Sequence, residues 1–224
     1  KILFVTPSYY PIIGGSEVLT SILSTKLNEI GICADVMTLN MNKKWYPIWK
    51  EETVKNGPAK ILKEPAFNPF PSLPNPLFNL FRVNVIPKPS FSRKFKDYDV
   101  IHFVGEADLS FPLLSYFNKK PKLLQCVAIF RNGGIYKYYM IDRAFLGRVF
   151  TKFFPSLVDV FVVSTEQEKR LLSDMDVPAK KILILRIGVD TELFRPDERK
   201  KTDNLVLFVG RIDRIKGLHI LMEA

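Results

Sequence analysis

Apolar and polar positions along the chain alternate between two periods. Ile2-Leu3-Phe4-Val5 is a short unbroken apolar run, the form of a buried strand. Pro7 and Pro11 then forbid a continued sheet interior. Gly14-Gly15-Ser16-Glu17 opens a segment in which Val18, Leu19, Ile22, Leu23, Leu27 and Ile30 recur at helical spacing, with Gly31 as its stop. The same strand-then-helix rhythm returns further on. Strands are predicted at 33–39, 99–104, 122–130, 159–164 and 181–185, and helices at 109–117, 135–154 and 165–174. The last of these helices starts on Thr165-Glu166-Gln167-Glu168, close to a capping box. Buried strands alternating with helices make an α/β fold: a Rossmann-like parallel sheet with helices on both faces. Ligands of such sheets collect at the carboxyl ends of the strands. On this reading the Gly14–Gly15 loop, His102, Glu106, Arg131 and Thr165 lie along one rim.

Two stretches break the rhythm. Residues 40–89 begin with Lys43, Lys44, Lys50, Lys55, Lys60 and Lys63 among Trp45, Tyr46 and Trp49. They continue with seven of the sixteen prolines, between Pro65 and Pro89, among Phe67, Phe70, Leu77, Phe78, Leu80 and Phe81. Proline at that density excludes a regular helix or central strand, so an irregular insertion over 40–95 is expected. It is either a cover packed on the sheet edge or a basic, aromatic flap that touches a membrane surface or an acceptor lipid. The second break, 197–204, is charged and reads as a linker. After it, 205–209 restarts a strand, Gly210-Arg211 and Lys216-Gly217 follow, and a helix begins at 218. The expected organisation is therefore a domain at 1–196, the linker, and the first strand–helix unit of a second domain at 205–224.

Composition narrows the chemistry. Apolar content of 47% and charged content of 25% are those of a globular protein, and no run approaches the roughly 18 apolar residues of a membrane span. Cys33 and Cys126 both sit in apolar runs and read as small buried residues, which suits a reducing cytoplasm. A formal net charge of +10 points to an anionic partner. Nucleic acid is poorly supported, because no helix-turn-helix, zinc-ligand or RNP-type pattern is present. With His102 and His219 as the only histidines, a histidine metal site is not expected. The glycine pair at a strand–helix turn is either a plain tight connection or an anion-binding loop. It is not the G-x-G-x-x-G dinucleotide fingerprint, which argues against a nicotinamide or flavin enzyme. Position 1 is Lys rather than Met, so a longer parent chain is expected.

Four segments together resemble the retaining, GT-B-fold glycosyltransferases of the "group 1" family, family 4. They are residues 11–17 (PIIGGSE), 99–102 (DVIH), 187–190 (IGVD) with 194–196 (FRP), and 208–217 (FVGRIDRIKG). The resemblance implies the N-terminal half of a GT-B fold plus the start of its second domain, and an enzyme that moves a sugar from a nucleotide-sugar to a glycan or lipid-linked acceptor. It implies that Arg211 and Lys216 contact the donor's diphosphate, and that Gly14 and Gly15 abut its phosphate and sugar. A bidentate guanidinium and a compact ammonium suit that charge, and would replace a metal. No cofactor is therefore expected, and the protein would sit in the cytoplasm or peripherally at the inner membrane face. The family commonly has a His at the end of the strand over 122–130, where this chain has none; Arg131, Asn132 or Glu106 would then position the acceptor, and His102, which matches the family's strand-end His and is the further candidate at the reacting centre, reads as core or rim packing before catalysis. The usual P-N-G-V-D also reads Arg186-Ile187-Gly188-Val189-Asp190 here. The family's E-x7-E region would lie beyond Ala224, so residues 1–224 alone are expected to be inactive. The competing reading is a non-catalytic sugar-phosphate or anion-binding Rossmann module.

Overall fold

Alternation within the first strand decides where it sits. In β1 (Ile2–Thr6) Leu3 and Val5 point to one face and Phe4 to the other, and all three are sealed from solvent, so β1 is central. The computed structural model describes residues 1–42, 48, 50–67, 86–87, 89–105, 118–126, 155–174, 176–196, 204–210, 212 and 216–223. Following β1 are α1 (Gly15–Glu29), β2 (Ala34–Leu39), β3 (Glu52–Asn56), β4 (Ala59–Glu64), β5 (Ala66–Phe67) and β6 (Ile86–Pro87). A 3-10 segment (Pro89–Asp97) leads to β7 (Val100–Gly105), β8 (Lys122–Cys126), β9 (Val160–Val163), α2 (Glu166–Ser173) and β10 (Ile182–Ile184). A last helix, α3 (Leu218–Glu223), belongs to a second compact unit, Ile187–Ala224, distinct from Lys1–Arg186.

Eight strands form one sheet in the order β10-β9-β8-β7-β1-β2-β4-β3, parallel throughout except for β3, which pairs antiparallel with β4. β5 and β6 form a separate antiparallel pair. The central register sets Phe4 beside Val36 on one side and His102 on the other. One face of the sheet buries Leu3, Val5, Met37, Ile101, Phe103 and Phe161 with Phe91 and Phe95 of the 3-10 segment. The rings of Phe91 and Phe95, and of Phe95 and Phe103, meet edge-on at 5.5 and 6.2 Å. The opposite face buries Phe4, Val36, Ile61 and Val104 beneath Leu19, Leu23 and Leu27 of α1.

Several expectations change. The stretch 40–95 is not one irregular insertion, because 52–64 is a hairpin that extends the sheet edge. Its turn is Gly57-Pro58, with Gly57 at φ +58°, and Val54 and Ile61 face each other across the ladder. The end of the same stretch supplies core, since Phe91 and Phe95 are fully buried. Lys94 Nζ lies 2.5 Å from both Glu51 Oε1 and the buried Glu64 Oε1, pinning the 3-10 segment to β4. Residues 43–47, 49 and 68–85 lie outside the described residues.

In α1 the apolar stripe is not what faces the sheet most closely. Thr20 and Ser24 are buried, Leu19, Leu23 and Leu27 are partly so, and Val18, Ile22 and Ile30 are exposed. Small residues four apart let the helix approach the sheet, where Ser24 Oγ donates to Ala34 O at 2.8 Å and Asn28 Nδ2 to the same oxygen at 2.7 Å. Cys33 precedes β2 and is an exposed free thiol, not a buried one. The capping box at α2 is complete: Glu168 N donates to Thr165 Oγ1 at 3.1 Å and Thr165 N to Glu168 Oε2 at 3.0 Å. The strand expected at 205–209 has no ladder partner among the described residues. Leu205, Val206, Leu207 and Val209 are exposed there, and without a ladder partner the run is not a strand. The expected helices over 109–117 and 135–154, the end of the strand at 127–130, and linker residues 197–203 lie outside the described residues.

Candidate functional site

Strand order marks the place where a ligand would sit. From β1 the sheet grows one way through β2 and the other way through β7, so the crevice beyond the carboxyl ends of β1 and β7 is the topological switch point. The loop between β1 and α1 lies there. Thr6 Oγ1 donates to Ser8 O at 3.1 Å and Ile12 N to Tyr9 O at 3.0 Å, which holds the loop in shape, while Tyr10 and Ile13 stay exposed. Gly105 closes β7 at φ +146°, and a Cβ there would come within 3.3 Å of Pro7 Cδ. Glycine at 105 is thus needed both for its backbone angle and for the close passage of the loop.

Gly14 is the N-cap of α1, and Val18 N donates to its carbonyl at 3.1 Å. The first turn carries Glu17, whose carboxylate is buried where a helix start favours negative charge. Both of its oxygens are bonded: Ser8 Oγ donates to Oε1, and Ser16 Oγ donates to Oε2 at 3.0 Å. Thr20 Oγ1 in turn donates to Ser16 O at 2.7 Å. Glu17 and Ser8 were not singled out by the sequence pattern as a pair. The available signal was a glutamate three residues after the helix N-cap, the position from which a side chain folds back over the helix start.

The predicted site residues fall unevenly. Gly14 and Gly15 are in the crevice loop. His102 is not on the rim: it is the third residue of β7, buried, its ring tilted against Phe4 at 5.0 Å. Burial pushes its imidazole down to about 4, with a hydrogen bond to the Gln125 side chain acting in the opposite direction, while His102 Nε2 and Gln125 Oε1 are buried without a partner. A neutral, enclosed imidazole packs the core. Thr165 is spent on capping α2. Glu106, Arg131, Asn132 and Arg211 lie outside the described residues. In the second unit Lys216 is exposed, just ahead of Gly217 (φ +67°) and α3. Asp190 there accepts from Glu192 N and Leu193 N at 3.0 and 3.1 Å, which ties a turn. Among the described residues no group of three His, Cys, Asp or Glu could hold a metal, and no helix is long and apolar enough to cross a membrane.

The model of Glycosyltransferase Family 4 matches residues 13–193. O-antigen chain mannosyltransferase C of Escherichia coli is 23% identical over 232 residues, which take in 100% of this chain and 57% of that protein. Sucrose-phosphate synthase of Thermosynechococcus elongatus superposes with a TM-score of 0.65 at 18% identity, over 100% of this chain and 59% of its own. Anabaena HepE, solved in complex with UDP, superposes with a TM-score of 0.54 at 14% identity, over 89% of this chain and 47% of its own. The structural likenesses show the fold. The chain spans 57% of the length of the mannosyltransferase it matches.

Proposed function

The chain belongs to glycosyltransferase family 4, and from that premise we propose that it transfers a sugar from a nucleotide-sugar donor, with retention, to a glycan or lipid-linked acceptor. The observation that carries the reading is the glycine loop placed at the switch point of the sheet, inside the segment matched by the family. That Anabaena HepE was solved with UDP supports a nucleoside-diphosphate donor. In the proposed mechanism Arg211 and Lys216 contact the diphosphate and stabilise the charge that builds on it as the glycosidic bond breaks. The Gly14–Gly15 loop meets the phosphate and sugar. The departing diphosphate takes the acceptor's proton on the same face, so a strong base from the protein is not required, and Arg131, Asn132 or Glu106 positions the acceptor. His102, enclosed beside Phe4, takes no part.

The test is a screen of UDP-, GDP- and ADP-sugars against the full-length protein with lipid-linked and glycan acceptors, read as release of the nucleoside diphosphate. Release with one donor class supports transfer. Donor binding without release under any acceptor would favour the non-catalytic binding module instead.

The net charge and the Lys43, Lys44, Trp45 and Trp49 cluster support peripheral contact with the cytoplasmic membrane face through 40–95. Because 52–64 is part of the sheet, the contact is tested by substitution and not by deletion. Lys43→Glu, Lys44→Glu and Trp45→Ala combined are expected to abolish flotation on phosphatidylglycerol vesicles. Equal flotation of the variant and the parent removes the membrane role.

A further inference from the structure

The two adjacent glycines are not equivalent. Gly14 has φ −151° and ψ −175°, an extended conformation that any residue adopts, so backbone freedom does not explain it. Space does. A Cβ at 14 would come within 2.5 Å of Glu17 Oε2, and that carboxylate is buried and held by Ser8 and Ser16. At Gly15 a Cβ would meet nothing within 4 Å. One glycine clears room for a side chain of the chain itself, and the other borders open space.

We propose that Glu17 is the positioning residue of the crevice loop, that Gly14 exists to accommodate its carboxylate, and that Gly15 alone is the glycine the donor approaches. This rests on the glycosyltransferase reading and deepens it. Glu17 links the segment leaving β1, through Ser8, to the first turn of α1, through Ser16, so it sets where Gly15 is presented. The carboxylate is enclosed and both oxygens are bonded within the protein, so it acts through the loop and does not touch substrate. A buried carboxylate with these partners is costly to disturb, which makes the loop stiff and pre-shaped.

The experiment is a pair of double-mutant cycles in the full-length enzyme, read as the KM for donor, the KM for acceptor and kcat. Gly14→Ala and Glu17→Ala should each raise the donor KM about tenfold, and their combination should be no worse than either alone, because the clash vanishes with the carboxylate. Gly15→Ala should raise the donor KM by itself and add to Glu17→Ala. The acceptor KM should stay within about twofold throughout, a split that a merely structural role would not produce. Additive effects of Gly14→Ala and Glu17→Ala, or donor and acceptor KM rising together, would overturn the proposal. If Glu17→Ala does not fold, Glu17→Asp, shorter by one methylene, relieves the same clash and supplies the same cycle. A parent enzyme with no turnover would refute the transfer reading, whereas turnover with the wrong cycle refutes only the role given to Glu17.

Discussion

Replacing Lys216 with alanine is expected to lower kcat/KM for the nucleotide-sugar by about 10²- to 10³-fold in the full-length enzyme, the usual cost of losing one charge-stabilising contact. Lys216 is exposed and precedes a helix of six residues, so its loss should move folding stability by no more than about 0.5 kcal/mol. That separation makes the variant informative, because a fall in rate cannot then be laid to unfolding. On the proposed mechanism the ammonium meets more negative charge as the diphosphate departs than it does in the bound donor. The fall should therefore appear mainly in kcat and less in KM. Lys216→Arg keeps the charge but spreads it over a planar fork, and should recover part of the loss. Steady-state release of the nucleoside diphosphate measures all three enzymes. An alanine variant with parental kcat/KM would remove Lys216 from the donor site.

The second large effect concerns pH. His102 is buried on the α1 face of the sheet, with its imidazole held down to about 4 in the folded chain against 6.5 when exposed. The folded-state value is the lower one, so the unfolded chain binds the proton more readily. The stability contributed by the neutral imidazole is complete above pH 6.5 and is lost as pH falls from 6.5 to about 4. The loss attributable to this group is about 3 kcal/mol. His102→Phe keeps a ring against Phe4 and removes the titrating group. Urea unfolding followed across that interval should give a distinctly flatter profile for the variant than for the parent. Parallel profiles would show that other groups govern the acid response.

Much of this architecture was legible because strands and helices announce themselves locally. Leu3, Phe4 and Val5 are apolar on both sides of the strand, which fits only a central position in a covered sheet. Thr165 and Glu168 carry their capping chemistry in four consecutive residues, and Gly31 ends the segment of α1 at φ +84°. The hairpin at 52–64 was hidden by lysines. Lys55, Lys60 and Lys63 gave the stretch the look of a solvated loop, although Gly57-Pro58 between Val54 and Ile61 makes a two-residue hairpin turn with glycine first. His102 stands in the middle of the apolar run 99–104, and as the third of the six residues of β7 it lies inside the sheet, short of the carboxyl ends that form the rim.

The amino-acid pattern alone therefore determined β1, α1, β2, β7, β8, β9, α2 and β10 and the glycine loop after the first strand, since each is written in neighbours within a few residues, and their alternation implied the parallel sense of those strands. Only the tertiary structure decided which side of α1 is buried, because period 3.6 shows that a face exists while the sheet beneath selects small Thr20 and Ser24 over larger Val18 and Ile22. Contacts that close across the chain were equally out of reach. Lys94 reaches Glu64, and Ser8 reaches Glu17 in the space that Gly14 leaves open. Such pairings arise when packing excludes water and every enclosed charge must find a partner, a condition set by the whole fold and by no single segment of it.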